Sequence, residues 1–122
     1  MPLVSVIIPC YNEQATIRLL LEALYQQSYP REKLEVILSD GMSTDNTRAE
    51  VARFQADFPD LSVSVVDNAQ RSIPSGLNRA IEAAQGVYIV RLDAHSVPAQ
   101  DYIERSVTAL QTGERDHVGG GW

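Results

Sequence analysis

The sequence predicts an α/β domain of three layers (α/β/α), in which a mostly parallel sheet lies between helices. Two observations support this fold class. Short apolar runs and amphipathic helical patterns alternate four times within 122 residues, and the connections between them are short. The runs are rich in Val, Ile or Leu and are bounded by polar or helix-breaking residues, as strands usually are. The predicted strands are Leu3–Pro9, Leu34–Ser39, Leu61–Asp67 and Val87–Leu92.

Each predicted strand is followed by apolar residues at helical spacing. The first helix is expected to place Ile17 and Leu24 on its buried face, with Asn12 as its N-cap. The other three are expected at Thr44–Phe58, from Pro74 or Ser75 to Gly86, and after Pro98.

The third strand indicates the order of the sheet. Its valines alternate with Ser62 and Ser64, so one of its faces is polar, as in an edge strand. With right-handed crossovers the simplest strand order is 3-2-1-4. Ligands of open α/β sheets bind beyond the carboxyl ends of the strands where the winding reverses, here between strands 1 and 4.

The composition excludes several classes of protein. The net charge is −6, so the chain attracts nucleic acid or anionic lipid weakly, and an anionic ligand must be held by local groups. The single cysteine, Cys10, excludes an internal disulfide and a multi-cysteine zinc site, and we expect it to be a buried thiol. No apolar run approaches the roughly 18 residues of a membrane helix.

The turn after the first strand contains Pro9, Tyr11 and Glu13 but no glycine. Dinucleotide-binding turns and P-loops need glycines there, so the sequence argues against both. Tyr11 could stack on a nucleobase and Glu13 could accept a hydrogen bond from a sugar hydroxyl. The alternative is structural: Pro9 ends the strand, Asn12 caps the helix and Tyr11 packs.

Two further candidates follow the second and third strands. Asp40 ends a buried strand beside the first one, where its carboxylate could accept from a uracil N–H or a ribose. Gly41 after it is expected to permit the turn. Arg71 is a candidate partner for a base or phosphates, with a solvated surface charge as the alternative. Asn78, early in the third helix, could face the same site.

Asp93 and His95 follow the fourth strand. In an extended segment, residues i and i+2 point to the same side, so both side chains could bind one divalent cation. A carboxylate with an imidazole suits Mn²⁺, whereas Mg²⁺ prefers oxygen ligands alone. Such a cation would stabilise a diphosphate as a leaving group. The alternative is a capping carboxylate and a surface histidine.

Three segments carry a family resemblance: VSVIIPCYNE, SDGMSTDNT and GLNRAIEAAQGVYIVRLDAH. Together they resemble the nucleotide-binding half of inverting family 2 glycosyltransferases with the GT-A fold. Within this family, the segments most resemble the branch around succinoglycan-biosynthesis glucosyltransferases. The resemblance implies that Tyr11 and Asp40 hold the base of a nucleoside diphosphate, usually uridine. It places Glu13 and Arg71 near them, and Asp93 at the ribose and the metal.

The chain departs from the family pattern in two ways. His95 stands where the metal motif usually has a second aspartate, which leaves Mn²⁺ and Mg²⁺ open. The resemblance also covers only the first half of a catalytic domain. Residues 1–122 are therefore expected to form the nucleotide-sugar-binding half of a truncated domain, without the acceptor half. The general base is expected beyond Trp122, so the isolated chain is expected to be inactive.

The resemblance implies transfer of a hexose, with inversion, from a nucleotide sugar to a glycan or lipid-linked acceptor in polysaccharide biosynthesis. It implies a cytoplasmic location at the inner face of the membrane, with any attachment made by regions outside this chain, and no nucleic acid partner. A non-catalytic nucleotide-binding module is the main alternative. A signalling receiver domain fits less well, because receivers place two acidic residues directly after the first strand. A sugar nucleotidyltransferase needs a glycine-rich basic loop there.

Overall fold

The computed structural model describes residues 1–112 and the backbone of residues 118–119. Strands and helices alternate along it, and a short 3₁₀ turn, Arg31–Lys33, precedes the second strand. The elements are β1 (Val4–Cys10), α1 (Ile17–Tyr25), β2 (Leu34–Asp40), α2 (Thr47–Asp57), β3 (Ser62–Asp67), α3 (Ile73–Ala83), β4 (Tyr88–Arg91), α4 (Tyr102–Gln111) and β5 (Val118–Gly119).

The strands form one sheet in the order β3-β2-β1-β4-β5, and all four pairs are parallel. The predicted order 3-2-1-4 is confirmed, and β5 adds a strand beside β4. β3 lies at an edge as predicted, with Ser62 and Ser64 exposed. The winding therefore reverses between β1 and β4, and the carboxyl ends of these strands are the place to look for a site.

Alternating residues of the strands bury against two helical layers, which confirms the three-layer prediction. On one face, α1, α2 and α4 cover β1 and β2 with residues such as Leu20, Phe54 and Ile103, all fully buried. On the other face, α3 packs Ala80 against Ile7 of β1 and the neighbouring strand. Among the described helices α3 alone covers that face, which leaves room beside it at the carboxyl ends of the strands.

Asn12 does not cap α1, contrary to the prediction. The helix begins after Thr16, and no side chain caps its first turn. Asn12 instead has a left-handed backbone (φ 51°), and its side-chain oxygen accepts from the Thr44 N–H at 2.8 Å. Its own N–H donates to Ser43 Oγ at 2.9 Å. Asn12 therefore joins the loop after β1 to the loop after β2.

The predicted starts of the next helices also need correction. Helix α2 begins at Thr47 rather than Thr44, because the loop before it is held by Asn12 and by Asp45, whose carboxylate accepts from the Thr47 N–H at 2.9 Å. Helix α3 begins at Ile73, one or two residues before the predicted start at Pro74 or Ser75, because Ser72 is its N-cap and its hydroxyl accepts from the Ser75 N–H at 3.2 Å.

The remaining boundaries differ by a few residues. Helix α3 ends at Ala83 rather than Gly86, and α4 begins at Tyr102. None of the described helices is both long enough and apolar enough to cross a membrane.

Candidate functional site

An open cleft of about 220 Å³ lies at the carboxyl ends of β1 and β4 and beside the start of α3. Its position is the one that the strand order predicts. Six of the eight candidate site residues line it: Pro9, Tyr11, Glu13, Arg71, Asp93 and His95. Pro9 lies in β1, and the other five come from three separate loops, so these residues meet only through the fold.

One wall of the cleft presents an aromatic ring. Tyr11 is 44% exposed, although it follows a buried strand. The Arg71 guanidinium carbon lies 5.8 Å from the centroid of the ring. An exposed ring beside a guanidinium is a surface on which a planar base can stack. The alternative interpretation of Tyr11 as a packed core residue does not fit this exposure.

Among the residues that the structure describes, three other than glycine have left-handed backbones: Asn12, Met42 and Arg71, with φ of 51°, 64° and 64°. All three lie in loops at the carboxyl ends of β1, β2 and β3. The sequence predicted that Gly41 would permit the turn after β2. This prediction is wrong, because the residue with positive φ in that turn is Met42. Conformations of this kind cost free energy and are concentrated at binding and active sites.

Asp40 is one of the two candidate site residues that do not line the cleft. It is 1% exposed, and its carboxylate accepts from the Ser43 N–H at 3.0 Å and from Arg48 Nε at 2.7 Å. Burial alone would raise the pKa of this carboxyl, but the hydrogen bonds from Ser43 and Arg48 outweigh it and hold the pKa below its usual value. Its contact with a base stays a prediction.

Cys10 is the buried thiol that the sequence predicts. Its sulfur lies 3.7 Å from Asp40 Oδ1. Burial, followed by the nearby Asp40 carboxylate, raises the pKa of the thiol to about 12. The thiolate is the nucleophilic form of cysteine, so Cys10 cannot serve as a nucleophile at neutral pH, although it borders the cleft.

Glu13 is fixed by contacts on both sides. Its backbone N–H donates to Thr47 Oγ1 at 2.8 Å, which ties the loop after β1 to the start of α2. Its carboxylate accepts from Thr16 Oγ1 at 3.0 Å. Glu13 is half-buried and lines the cleft, where a carboxylate can accept more than one hydrogen bond, including one from a sugar hydroxyl.

Asp93 and His95 lie in a turn and not in an extended segment. The strand ends at Arg91, and the Asp93 carbonyl accepts from the Ser96 N–H at 3.0 Å and from Ser96 Oγ at 2.7 Å. The predicted extended geometry is therefore wrong, because Ser96 closes the turn. Both side chains still line the same cleft.

No group of three or more metal-ligating side chains exists in the part of the chain that the structure describes. A cation at Asp93 and His95 would therefore take two protein ligands and complete its shell from a bound ligand or water. A carboxylate and an imidazole in one cleft fit Mn²⁺ as donors.

Four polar residues of the cleft, Ser39, Asn68, Ser72 and Arg91, were missed by the sequence analysis. Arg91 lines it from β4, and its place as a charged residue near the carboxyl end of the predicted strand Val87–Leu92 was the signal that could have revealed it. Ser39 Oγ and Asn68 Oδ1 are, among the described side chains, buried oxygens without a hydrogen-bond partner. The sequence carries no signal for these two oxygens. Asn78, which was expected to face the site, is exposed and does not line the cleft.

Comparison of the chain with known proteins identifies the family to which it belongs. The family model described as glycosyl transferase family 2 matches residues 5–122. Glycosyltransferase AglE of Haloferax volcanii is 36% identical over 120 residues, which cover 98% of this chain and 39% of that protein. Succinoglycan biosynthesis protein ExoA of Rhizobium meliloti is 40% identical over 111 residues, covering 88% and 33%.

A solved structure agrees. The mannosyltransferase PcManGT from Pyrobaculum calidifontis, in complex with GDP-Man and Mn²⁺, superimposes with a TM-score of 0.85 and 40% identity. The match covers 89% of this chain and 32% of that one, so the chain spans about a third of the length of the proteins it matches. The fold is that of GT-A glycosyltransferases, and the chain belongs to glycosyl transferase family 2.

Proposed function

We propose that the cleft binds the nucleotide of a nucleotide sugar, and that the protein containing this chain transfers a hexose from it, with inversion, to a glycan or lipid-linked acceptor. The observation that carries the proposal is the convergence of an exposed aromatic ring, Tyr11, with the Asp93 and His95 side chains on one cleft. This pairing suits a ligand with a planar base at one end and a diphosphate at the other.

The base stacks on Tyr11 beside Pro9, with Arg71 close to the ring. Glu13 accepts from a hydroxyl of the ribose, and Asp93 lies at the ribose and the metal. A contact between Asp40 and the base requires one of the present donors to its carboxylate, such as Ser43 or Arg48, to be displaced. We propose that uracil is the base that stacks on Tyr11. Guanine is the competing base, because the Pyrobaculum mannosyltransferase was solved with GDP-Man.

Asp93 and His95 would hold a divalent cation, Mn²⁺ or Mg²⁺, of which the imidazole favours Mn²⁺. When bound, the cation supplies positive charge against the departing diphosphate. The presence of Mn²⁺ in the Pyrobaculum complex supports this assignment. The residues of this chain bind and orient the donor. The group that deprotonates the acceptor is not assigned to any described residue.

Two parts of the proposal concern the cell rather than the cleft. The reaction belongs to polysaccharide biosynthesis, which is supported by the similarity to the Rhizobium succinoglycan biosynthesis protein. It takes place on the cytoplasmic side, at the inner face of the membrane, with any attachment made outside this chain.

Calorimetric titration of UDP and GDP, in Mn²⁺ and then in EDTA, tests the proposal. The wild type is compared with Asp93→Ala and His95→Ala, and with Asp101→Ala as a matched control, since Asp101 is an exposed carboxylate paired with Arg105 outside the cleft. Metal-dependent binding that both cleft variants weaken supports the whole assignment. Binding that needs Asp93 but neither metal nor His95 overturns the metal assignment alone. No binding by folded protein overturns the proposal.

A further inference from the structure

We propose that Ser39 and Asn68 hydrogen-bond the edge of the nucleobase that stacks on Tyr11. The inference rests on the proposed function of the cleft, and it names the two residues that recognise the base. Both side chains line the cleft, and neither has been given a role above.

The sheet places both residues beside the proposed position of the base. Ser39 of β2 pairs with Pro9 of β1 on one side and with Val66 of β3 on the other. Asn68 follows β3, and its N–H donates to the Asp40 carbonyl at 2.8 Å, which continues the contact between the two strands. Residues paired side by side share a face of the sheet. Pro9, Ser39 and Asn68 therefore form a row at the carboxyl ends of the strands.

Both residues are buried, and each carries an oxygen that lacks a partner. Ser39 is 1% exposed and Asn68 is 4% exposed. Within residues 1–112, nothing hydrogen-bonds Ser39 Oγ or Asn68 Oδ1. A buried polar atom without a hydrogen bond destabilises a fold, and native proteins contain few of them. A ligand group that hydrogen-bonds these oxygens would remove this cost, so the pair favours a polar ligand group at this end of the cleft.

The fold also fixes which kind of group each oxygen takes. Asn68 Nδ2 donates to the Ser72 carbonyl at 2.9 Å, which leaves Oδ1 as an acceptor, whereas the Ser39 hydroxyl can donate. The pair matches a base edge that carries an N–H beside a carbonyl, as uracil and guanine do. Asp40 is the other acceptor predicted for the base, but its carboxylate is already bound by Arg48. The N–H of the base reaches Asn68 without displacing that donor.

Gly76 keeps a side chain of α3 away from these two groups. A Cβ at this position would lie 2.6 Å from Ser39 Oγ and 3.0 Å from Asn68 Nδ2. Both groups therefore lie close to one point beneath the first turn of α3. The helix covers the pair there without filling the space beside it.

The first test separates nucleotide binding from stability with Ser39→Ala. Ser5→Ala is the matched control, because Ser5 is a buried serine on the same face at the opposite end of the sheet. Its hydroxyl donates to Glu35 at 2.6 Å and accepts from the Gly86 N–H at 2.8 Å. Calorimetry with UDP measures affinity, and urea denaturation measures stability.

The two variants should respond in opposite ways. Ser39→Ala should bind UDP about fivefold more weakly, as the loss of one hydrogen bond predicts, while its urea midpoint stays at or above that of the wild type. Ser5→Ala should bind UDP as the wild type does, while its midpoint falls because two partners lose their hydrogen bond.

The second test examines Asn68 by changing the ligand. 3-Methyl-UDP lacks the N–H of uracil, so the wild type should bind it about tenfold or more weakly than UDP. Asn68→Ala should reduce this difference, because the acceptor for the N–H is gone. A purely structural role of Asn68 would weaken both ligands equally. If the wild type binds GDP more tightly than UDP, GDP and 1-methyl-GDP replace this pair.

Three results would each overturn the proposal. The methylated nucleotide binds the wild type as well as the unmodified one does, Asn68→Ala leaves their difference unchanged, or Ser39→Ala either keeps full affinity or loses affinity and stability together. All three leave the proposed function standing, because the nucleotide is still bound. If the folded wild type binds neither UDP nor GDP, the proposed function fails as well.

Discussion

Gly86 should be far less tolerant of alanine than Gly76, although both are close to other chain segments. A Cβ at Gly86 would lie 2.5 Å from Ser5 Oγ, 2.6 Å from Ser5 N and 3.0 Å from the Leu3 carbonyl. Two of these atoms belong to the backbone of β1 and its entry. At Gly76 the nearest atoms, Ser39 Oγ at 2.6 Å and Asn68 Nδ2 at 3.0 Å, are ends of side chains.

How easily these neighbouring atoms can move determines how much free energy of unfolding each alanine substitution costs. Ordinary contacts of a Cβ are 3.4–4 Å, so Gly86→Ala must displace backbone, at the upper end of overpacking costs, about 3 kcal/mol. It also strains the hydrogen bond from the Gly86 N–H to Ser5 Oγ, now 2.8 Å. At Gly76 the Ser39 hydroxyl can rotate away, and alanine in a helix returns about 1 kcal/mol. Gly76→Ala should therefore change the free energy of unfolding by less than about 1 kcal/mol.

Urea denaturation followed by circular dichroism measures both variants. With a slope of about 2 kcal/mol per molar, the midpoint of Gly86→Ala should fall by roughly 1.5 M, and that of Gly76→Ala by under about 0.5 M. Gly76→Ala should still weaken nucleotide binding, since it shifts Ser39 and Asn68 in the cleft. Equal midpoints for the two variants would refute the claim that a Cβ placed against backbone atoms costs more stability than one placed against side-chain atoms.

Three other results follow from the site. Asp40→Asn should lose about 1–3 kcal/mol of stability at pH 7, discounted because Arg48 is partly exposed. Because the pKa of Asp40 is lowered in the folded protein, the extra free energy of unfolding of the wild type is complete above about pH 4 and disappears as the pH falls through the folded pKa. Urea midpoints of both proteins at several pH values measure this difference. Cys10 should resist iodoacetamide at pH 8 in native protein and react in urea, because its pKa is about 12; rapid native alkylation would contradict its burial. Tyr11→Ala should weaken UDP binding about tenfold or more by calorimetry, whereas Tyr11→Phe should retain it, since stacking needs the ring and not the hydroxyl.

Local periodicity was sufficient to predict the layers and the strand order. The alternation of Ser62 and Ser64 with valines identified the edge strand, because a strand that is buried on one face only has alternating polar and apolar residues. The meeting of Tyr11 with Asp93 was also predictable, because carboxyl ends of neighbouring parallel strands share one edge. These features depend on residues close in sequence or on general rules of sheet topology.

The details that the sequence did not reveal depend on contacts between loops. Asn12 has the composition of a helix cap, but a hydrogen bond to Thr44 draws it to another loop. Asp40 looks like an open acceptor at a strand end, yet Arg48 and Ser43 occupy its carboxylate. The turn at Asp93 depends on Ser96. No periodicity encodes such pairings, because each is chosen by tertiary geometry.

The two helical layers are anchored unequally, and this affects how the molecule opens. On the α3 face the apolar cluster is small, and the helix contributes buried Ala80 and partly buried Leu77, whereas the opposite face carries the main core. Segments with few buried contacts undergo local unfolding at a lower free energy than the whole domain. Amide hydrogen exchange should therefore be faster in α3 than in α1. Because Ser72 and Ile73 at the start of α3 border the cleft, a bound nucleotide should slow exchange there, so this thin layer would report occupancy of the site.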